Sequence, residues 1–292
     1  MNIEKIKSNF DGLELNVAVM KPINKIKGII IIVHGMAEHK ERYYHLMEEL
    51  VNVGYIVYVQ DLRGHGACLN KGYFNTTKKE VFREDLKTIV EYAKKKNPNL
   101  NVSMFGHSMG TIIIRQFIKK YDNELEKVVL TGPPTVNKKI DLAIFVSSLM
   151  NIYYPKYKPN KKIYDLAFKP NENVFENKIG YISDDIEVIK EFSNNKLSGF
   201  KFTTSGYLVL FKMLKDVFKK WIPKNKDLKI LLLAGSKDII VGGNKQLKHL
   251  ENYLLEIGYK KTKTKVYKNR RHDIITGKGG EIVIEDIINF FK

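Results

Sequence analysis

A single cysteine, no long apolar run and a shortage of acidic residues set the first limits on this sequence of 292 residues. Cys68 alone cannot form an intramolecular disulfide, which fits a reducing compartment. A membrane-spanning helix needs about 18 or more apolar residues in a row. The longest mostly apolar stretch, Leu142 to Met150, is shorter and is interrupted by Ser147 and Ser148. Met1 to Ser8 has no apolar core, so no secretory signal is expected. There is no internal repeat, no low-complexity segment and no His/Cys/Asp/Glu cluster at ligand spacing, so neither a metal nor another cofactor is expected. Acidic residues number 32 against 50 Lys and Arg, a net charge of +18. Such an excess raises the question of nucleic acid. The lysines are scattered between apolar positions, though, and no reader module is present, so the expectation is no nucleic-acid partner. A solvated surface or contact with anionic lipid accounts for the charge instead. The expected location is cytoplasmic, with peripheral contact at an anionic membrane as the alternative.

What is present is an alternation of strands and helices. Glu14 to Met20 alternates after the turn signal Asp11-Gly12. Gly28 to His34 is a continuous β-branched run, the pattern of a strand buried on both faces. Further strands are expected at Tyr55 to Gln60, Leu100 to Phe105, Leu125 to Thr131, Leu228 to Ala234 and Lys263 to Tyr267. Helical periodicity covers Tyr44 to Val53, Lys79 to Lys95, Thr111 to Tyr121, Lys245 to Ile257 and Glu281 to Phe290. This order predicts an α/β fold, a mostly parallel central sheet with helices on both faces. Residues 135–226 break the alternation, with Pro155, Pro159, Pro170 and Pro223 at irregular spacing and helical fragments at Ile140 to Asn151 and Gly206 to Lys220. The expected organisation is a core of 1–134 and 227–292, with 135–226 inserted as a helical lid at the strand C-terminal ends, where ligands bind in such sheets.

Gly106-His107-Ser108-Met109-Gly110 fits G-x-S-x-G, the nucleophile elbow, and lies where that motif must, between a strand and a helix. The small residues permit a sharp turn that lifts Ser108 Oγ clear, and the helix start offers free N–H groups to an oxyanion. A nucleophilic serine needs a base and the base an orienting acid, following in the order acid, then histidine, in loops past strand ends. Asp238, in the turn after the strand ending at Ala234, and His272, after the strand ending near Tyr267, satisfy both conditions. Asp227 precedes its strand, Asp273 adjoins His272 and is expected to point elsewhere, and His249 lies inside a helix. The oxyanion donors are assigned to the N–H groups of Met109 and Met36, the latter in the loop after His34-Gly35.

With those residues in place, the chain resembles the monoacylglycerol lipase and lysophospholipase branch of the α/β-hydrolases, a group that includes serine aminopeptidases. The resemblance rests on His34-Gly35-Met36-Ala37-Glu38-His39 with Arg42-Tyr43, Asp61-Leu62-Arg63-Gly64-His65-Gly66, the elbow, Gly235-Ser236-Lys237-Asp238 and Arg271-His272-Asp273. It implies the α/β-hydrolase fold, a Ser108–Asp238–His272 triad, an oxyanion hole from Met36 and Met109, and a cap over an acyl-binding cleft. The chain departs from the family pattern at Thr111, where a second glycine is usual, at Cys68, where a serine is common, and at Asp273, where glutamate is common. Arg63, His65, Glu38, His39 and Arg42 are expected to fix loop geometry, and His107 to support the elbow from its far side. The expected function is hydrolysis of a lipid-like monoester, a monoacylglycerol or lysophospholipid, through an acyl-enzyme. Other acyl substrates (short-chain esters, thioesters, peptide N-terminal amides), an acyltransferase and a binding module without activity remain as alternatives.

Overall fold

The β-branched runs become the buried centre of one sheet. The computed structural model describes residues 1–23, 25–135, 139–176 and 179–292. Its strands are β1 (Asn2–Lys7), β2 (Glu14–Met20), β3 (Gly28–Val33), β4 (Tyr55–Gln60), β5 (Val102–His107), β6 (Leu125–Thr131), β7 (Lys229–Gly235) and β8 (Lys261–Tyr267). They pair in the order β1-β2-β4-β3-β5-β6-β7-β8. The β1–β2 and β2–β4 pairs are antiparallel, and every later pair is parallel. All residues of β3, β4 and β5 are buried, as continuous apolar runs require when helices cover both faces. The strand β1 has no counterpart in the sequence reading. It is an edge strand with only Ile6 buried, so the chain there carries almost no periodic signal.

Helices α1 (Tyr44–Asn52), α2 (Val81–Lys96), α3 (Met109–Tyr121) and α9 (Asn244–Ile257) connect strands, and α10 (Gly280–Phe291) follows β8. The segment between β6 and β7 holds α4 (Ile140–Tyr153), α5 (Lys161–Ala167), α6 (Lys169–Glu172), α7 (Ile186–Asn194) and α8 (Thr204–Asp216). Here α8 is buried along most of its length, whereas α4 turns Leu142, Phe145, Leu149 and Ile152 outward, 57%, 60%, 48% and 68% exposed. Those spacings put the four side chains on one stripe. From β3 the chain runs to β4 on one side, and β5 then lies on the other side of β3. Adjacent strand ends at such a reversal leave a crevice at their C-terminal edge. His34 and Ser108 follow β3 and β5 at that edge, and Val33 pairs with Gly106 beside it.

Candidate active site

Ser108 sits between β5 and α3 with φ +49° and ψ −117°. A non-glycine residue there costs of order 1–3 kcal/mol and persists only where its surroundings hold it. Three contacts do so. The Ser108 N–H donates to Thr131 O at 2.9 Å. The Thr111 N–H and Oγ1 both donate to Ser108 O, at 2.9 and 2.7 Å. Thr111, a departure from the family pattern, therefore braces the turn. Gly110 lets α3 close on β3, since a Cβ there would lie 2.1 Å from Val33 O.

The structure brings Asp238, His272 and Ser108 into one hydrogen-bonded line. His272 Nε2 lies 2.8 Å from Ser108 Oγ, and Nδ1 lies 2.8 Å from Asp238 Oδ2. The carboxylate can only accept, so Nδ1 carries the proton and Nε2 is left to accept from the serine. Asp238 is buried in the turn after β7, and its Oδ1 accepts the N–H groups of Ile240 and Val241 at 2.9 and 3.1 Å. Burial alone would push the imidazole below its ordinary 6.5. The charge and hydrogen bond of Asp238, with Glu38 and Asp273 further off, override it and raise His272 instead. Gly132, at φ +57° just past β6, leaves room for the ring: a Cβ would stand 2.8 Å from His272 Cε1.

Behind this line lies a buried network that sequence reasoning did not resolve. Contrary to the expectation that it would lie on the far side of the elbow, His107 faces the imidazole. Its ring centroid is 4.8 Å from that of His272, and Nδ1 meets Thr131 Oγ1 at 3.1 Å, because the end of β5 pairs with the end of β6. Glu38 accepts from Gly35 N–H at 2.9 Å and from Tyr43 Oη at 2.7 Å, and lies 4.0 Å from His107 and 3.8 Å from Arg42. Burial disfavours its charge, but His107, Arg42 and the Tyr43 hydroxyl outweigh that and lower it to about 2. Asp273 indeed points elsewhere, taking Arg42 Nη2 at 2.8 Å. The only sequence signal for this pair is Arg42 beside Glu38 and His39.

Two neutral histidines shape the loop that carries Met36. The Leu62 N–H donates to His34 Nε2 at 2.9 Å, so His34 Nδ1 donates to Gly35 O at 2.8 Å. Likewise Ala37 N–H donates to His65 Nε2 at 3.2 Å, and His65 Nδ1 donates to Arg63 O at 3.0 Å. Burial pushes both down, His65 to about 3, so each stays neutral and keeps the tautomer this requires. Arg63 clamps the neighbouring loop by a two-pronged contact to Asp85, at 2.7 and 2.8 Å. Met36 thus follows β3 in a braced loop, and Met109 opens α3 beside it. The segment before β7 is tied to the His272 loop: His272 N–H donates to Tyr181 O, Asp273 N–H to Ile182 O, and Arg271 Nη1 to Gly180 O. It also reaches the Met36 loop, where Gly199 N–H donates to Ala37 O at 2.9 Å. Asp227 is remote from this cluster, pairing with Lys261, and His249 is exposed on α9. Among the described residues no group of three or more His, Cys, Asp or Glu is placed to hold a metal.

Comparison with known proteins places this geometry in context. Residues 24–278 match the family described as serine aminopeptidase, S33. The chain is 30% identical over 215 residues to phospholipase YtpA of Bacillus subtilis, covering 70% of this chain and 73% of that one. It is 34% identical over 122 residues to a monoacylglycerol lipase of Mycolicibacterium smegmatis, covering 42% and 43%, so the matched stretch spans less than half of that relative. A thermostable carboxyl esterase from Bacillus coagulans superposes with a TM-score of 0.91 over 99% of this chain and 97% of that one, at 22% identity. The fold is that of the α/β-hydrolases.

Proposed function

The chain belongs to the serine aminopeptidase S33 family, and within it we propose a carboxylic ester hydrolase acting on lipid-like monoesters, a monoacylglycerol or a lysophospholipid. The observation that carries this reading is the continuous line from Asp238 through His272 to Ser108, with 2.8 Å at each step. In the proposed reaction His272 Nε2 takes the proton of Ser108 as Oγ attacks the ester carbonyl. The N–H groups of Met36 and Met109 receive the oxyanion, and Asp238 stabilises the imidazolium. His272 then gives its proton to the departing alcohol, leaving an acyl-enzyme. Water, deprotonated by His272, attacks that acyl group, and the free acid leaves as the proton returns to Ser108.

The similar proteins, a monoacylglycerol lipase and a phospholipase, support the lipid monoester. The segment 135–226 is the proposed lid, supported by its contacts with the His272 and Met36 loops. The outward stripe of α4 is the surface proposed to meet lipid, with Lys139, Lys156, Lys158, Lys161 and Lys162 on either side of it in sequence. Lys138, part of the same sequence pattern, lies outside the described residues. Among the described residues no helix is long and apolar enough to cross a membrane.

The test is a substrate panel: monoacylglycerols and lysophospholipids of graded chain length, short soluble esters, a thioester and an aminoacyl amide. The reading expects the highest kcat/KM on a long-chain monoester with free acid as product. Preference for the amide, or diversion of the acyl group to an added alcohol in place of water, would replace it.

A further inference from the structure

A cavity of about 470 Å³ lies away from Ser108, where the loop entering α2 meets α4 and α8. Lys119, which reaches Asp216 at this end of the molecule, is eleven positions after Ser108 along α3, roughly 16 Å at the helical rise. The volume falls in the range of small-molecule sites, about 300–1,000 Å³. Five lysines line it (Lys78, Lys79, Lys212, Lys215 and Lys219), against only two carboxylates, Glu80 and Asp216.

The acidic groups are already engaged. Asp216 is buried and takes Lys79, with Lys119 Nζ at 3.6 Å and Gln116 Nε2 at 3.4 Å. Glu80 lies 3.6 Å from Lys79. Asp141 of α4 takes Lys215. Among the described residues Lys78, Lys212 and Lys219 have no carboxylate partner. Lys78 Nζ lies 5.8 Å from the Phe10 ring, and Lys212 Nζ donates to Thr77 O at 3.3 Å. Three lysines without a carboxylate partner on the lining of one concavity repel each other and give it a positive potential. The first turn of α2, which follows Glu80 here, adds the positive end of its dipole. A multiply charged anion relieves that repulsion, because each of its oxygens can accept from a separate ammonium. On one side the lining is apolar, from Ile144 of α4.

We propose that this cavity is a binding site for a phosphate group, carried by a soluble phosphorylated ligand or by a phospholipid headgroup, separate from the Ser108 centre. The proposal is independent of the ester-hydrolase reading, because its readout is binding.

The experiment uses the full chain and three probes: inorganic phosphate, glycerol 3-phosphate, and phosphatidylcholine vesicles with or without phosphatidylglycerol. Binding is followed by calorimetry for the first two and by co-sedimentation for the third. The cavity variant is Lys78→Gln/Lys212→Gln/Lys219→Gln. A variant with the same charge loss at exposed positions, Lys245→Gln/Lys260→Gln/Lys263→Gln, controls for net charge, and the arginine form of the cavity triple controls for folding. Saturable glycerol 3-phosphate binding, weakened about tenfold or more only in the cavity glutamine variant, identifies the soluble source. The same selective loss with anionic vesicles alone identifies the headgroup. The proposal is overturned if no probe binds, or if the surface control loses as much as the cavity variant.

Discussion

The C-terminal edge of the sheet and the segment between β6 and β7 use their residues in opposite ways. At the sheet edge, the polar groups around Ser108 are buried and tied to partners: Glu38 to Gly35 and Tyr43, Arg42 to Asp273, Asp238 to His272. In the segment between β6 and β7, apolar side chains of α4 stand in water, including Phe145 at 60% exposure. Buried polar groups are costly unless fully paired, so the edge is a place where geometry is over-determined. An exposed apolar stripe costs little fold stability when altered, and here it is the surface proposed to meet lipid. The two regions should therefore respond differently to substitution, the edge in kcat and stability and the stripe in behaviour at lipid surfaces.

The largest effect is expected at the edge. Ser108→Ala and His272→Ala should each lower kcat on a soluble ester by about 10⁴–10⁶. Asp238→Asn should cost roughly 10³–10⁴, because the amide favours the wrong imidazole tautomer. Asp273→Asn is the sharp contrast. It strands one side of buried Arg42, so stability should fall by about 3 kcal/mol while kcat stays within about tenfold of wild type. Thermal melts alongside steady-state rates separate the two aspartates. A crippled kcat in Asp273→Asn with an unchanged melt would invert the assignment.

Next comes Gly132→Ala. A Cβ 2.8 Å from His272 Cε1, at φ +57°, must push the ring off its line. A displacement of that kind is expected to reduce kcat on the order of 10²-fold. An alanine variant with wild-type kcat would mean the ring is free to give way.

The pH dependence gives a third contrast. His272 must be neutral to accept the serine proton, and its folded value is raised above 6.5. The rate should therefore begin to fall on acidification while the pH is still above 6.5, and Glu38→Gln, which removes one of the raising charges, should move that limb toward acid. Glu38 itself is lowered from 4.5 to about 2. Its contribution to stability is present above pH 4.5 and lost as the pH falls toward about 2. Loss of activity through a midpoint below 6.5 in the wild type would contradict the His272 environment described here.

Much of the edge was legible because its determinants are local. Ser108, Asp238 and His272 each follow a strand whose apolar run announces it, and chain order assigns the roles. The buried network was less legible. The pairing of Arg42 with Asp273 joins residues far apart in sequence, and nothing at either position names the other. His107 lies on the side opposite to the one expected, since its direction depends on how β5 meets β6. The segment between β6 and β7 was the least legible. Helices α4 and α8 are long, mostly apolar stretches that read as helical fragments, but α5 and α6 are short, and α7 has only Val188, Ile189 and Phe192 buried. Its anchors to the His272 loop are carbonyls of Gly180, Tyr181 and Ile182, groups every residue possesses, so sequence cannot single them out.

The smallest expected effect lies on the stripe. Phe145→Ser/Leu149→Ser should change stability by only about 0.5 kcal/mol and leave kcat on a soluble short ester unchanged. Turnover of a monoacylglycerol presented in anionic vesicles should fall severalfold, and more at low salt than at high. Equal loss on soluble and vesicle substrates would mean that α4 supports the fold of the site and does not meet lipid.

The central claim is that Ser108 is a nucleophile activated by His272. A fluorophosphonate probe followed by peptide mass spectrometry tests it most directly, because the probe reacts only with an activated serine and requires no knowledge of the substrate. The account predicts a single adduct, on Ser108, absent from Ser108→Ala and strongly slowed in His272→Ala. An adduct on another serine, or labelling of the same extent in the Ser108→Ala protein, would contradict it.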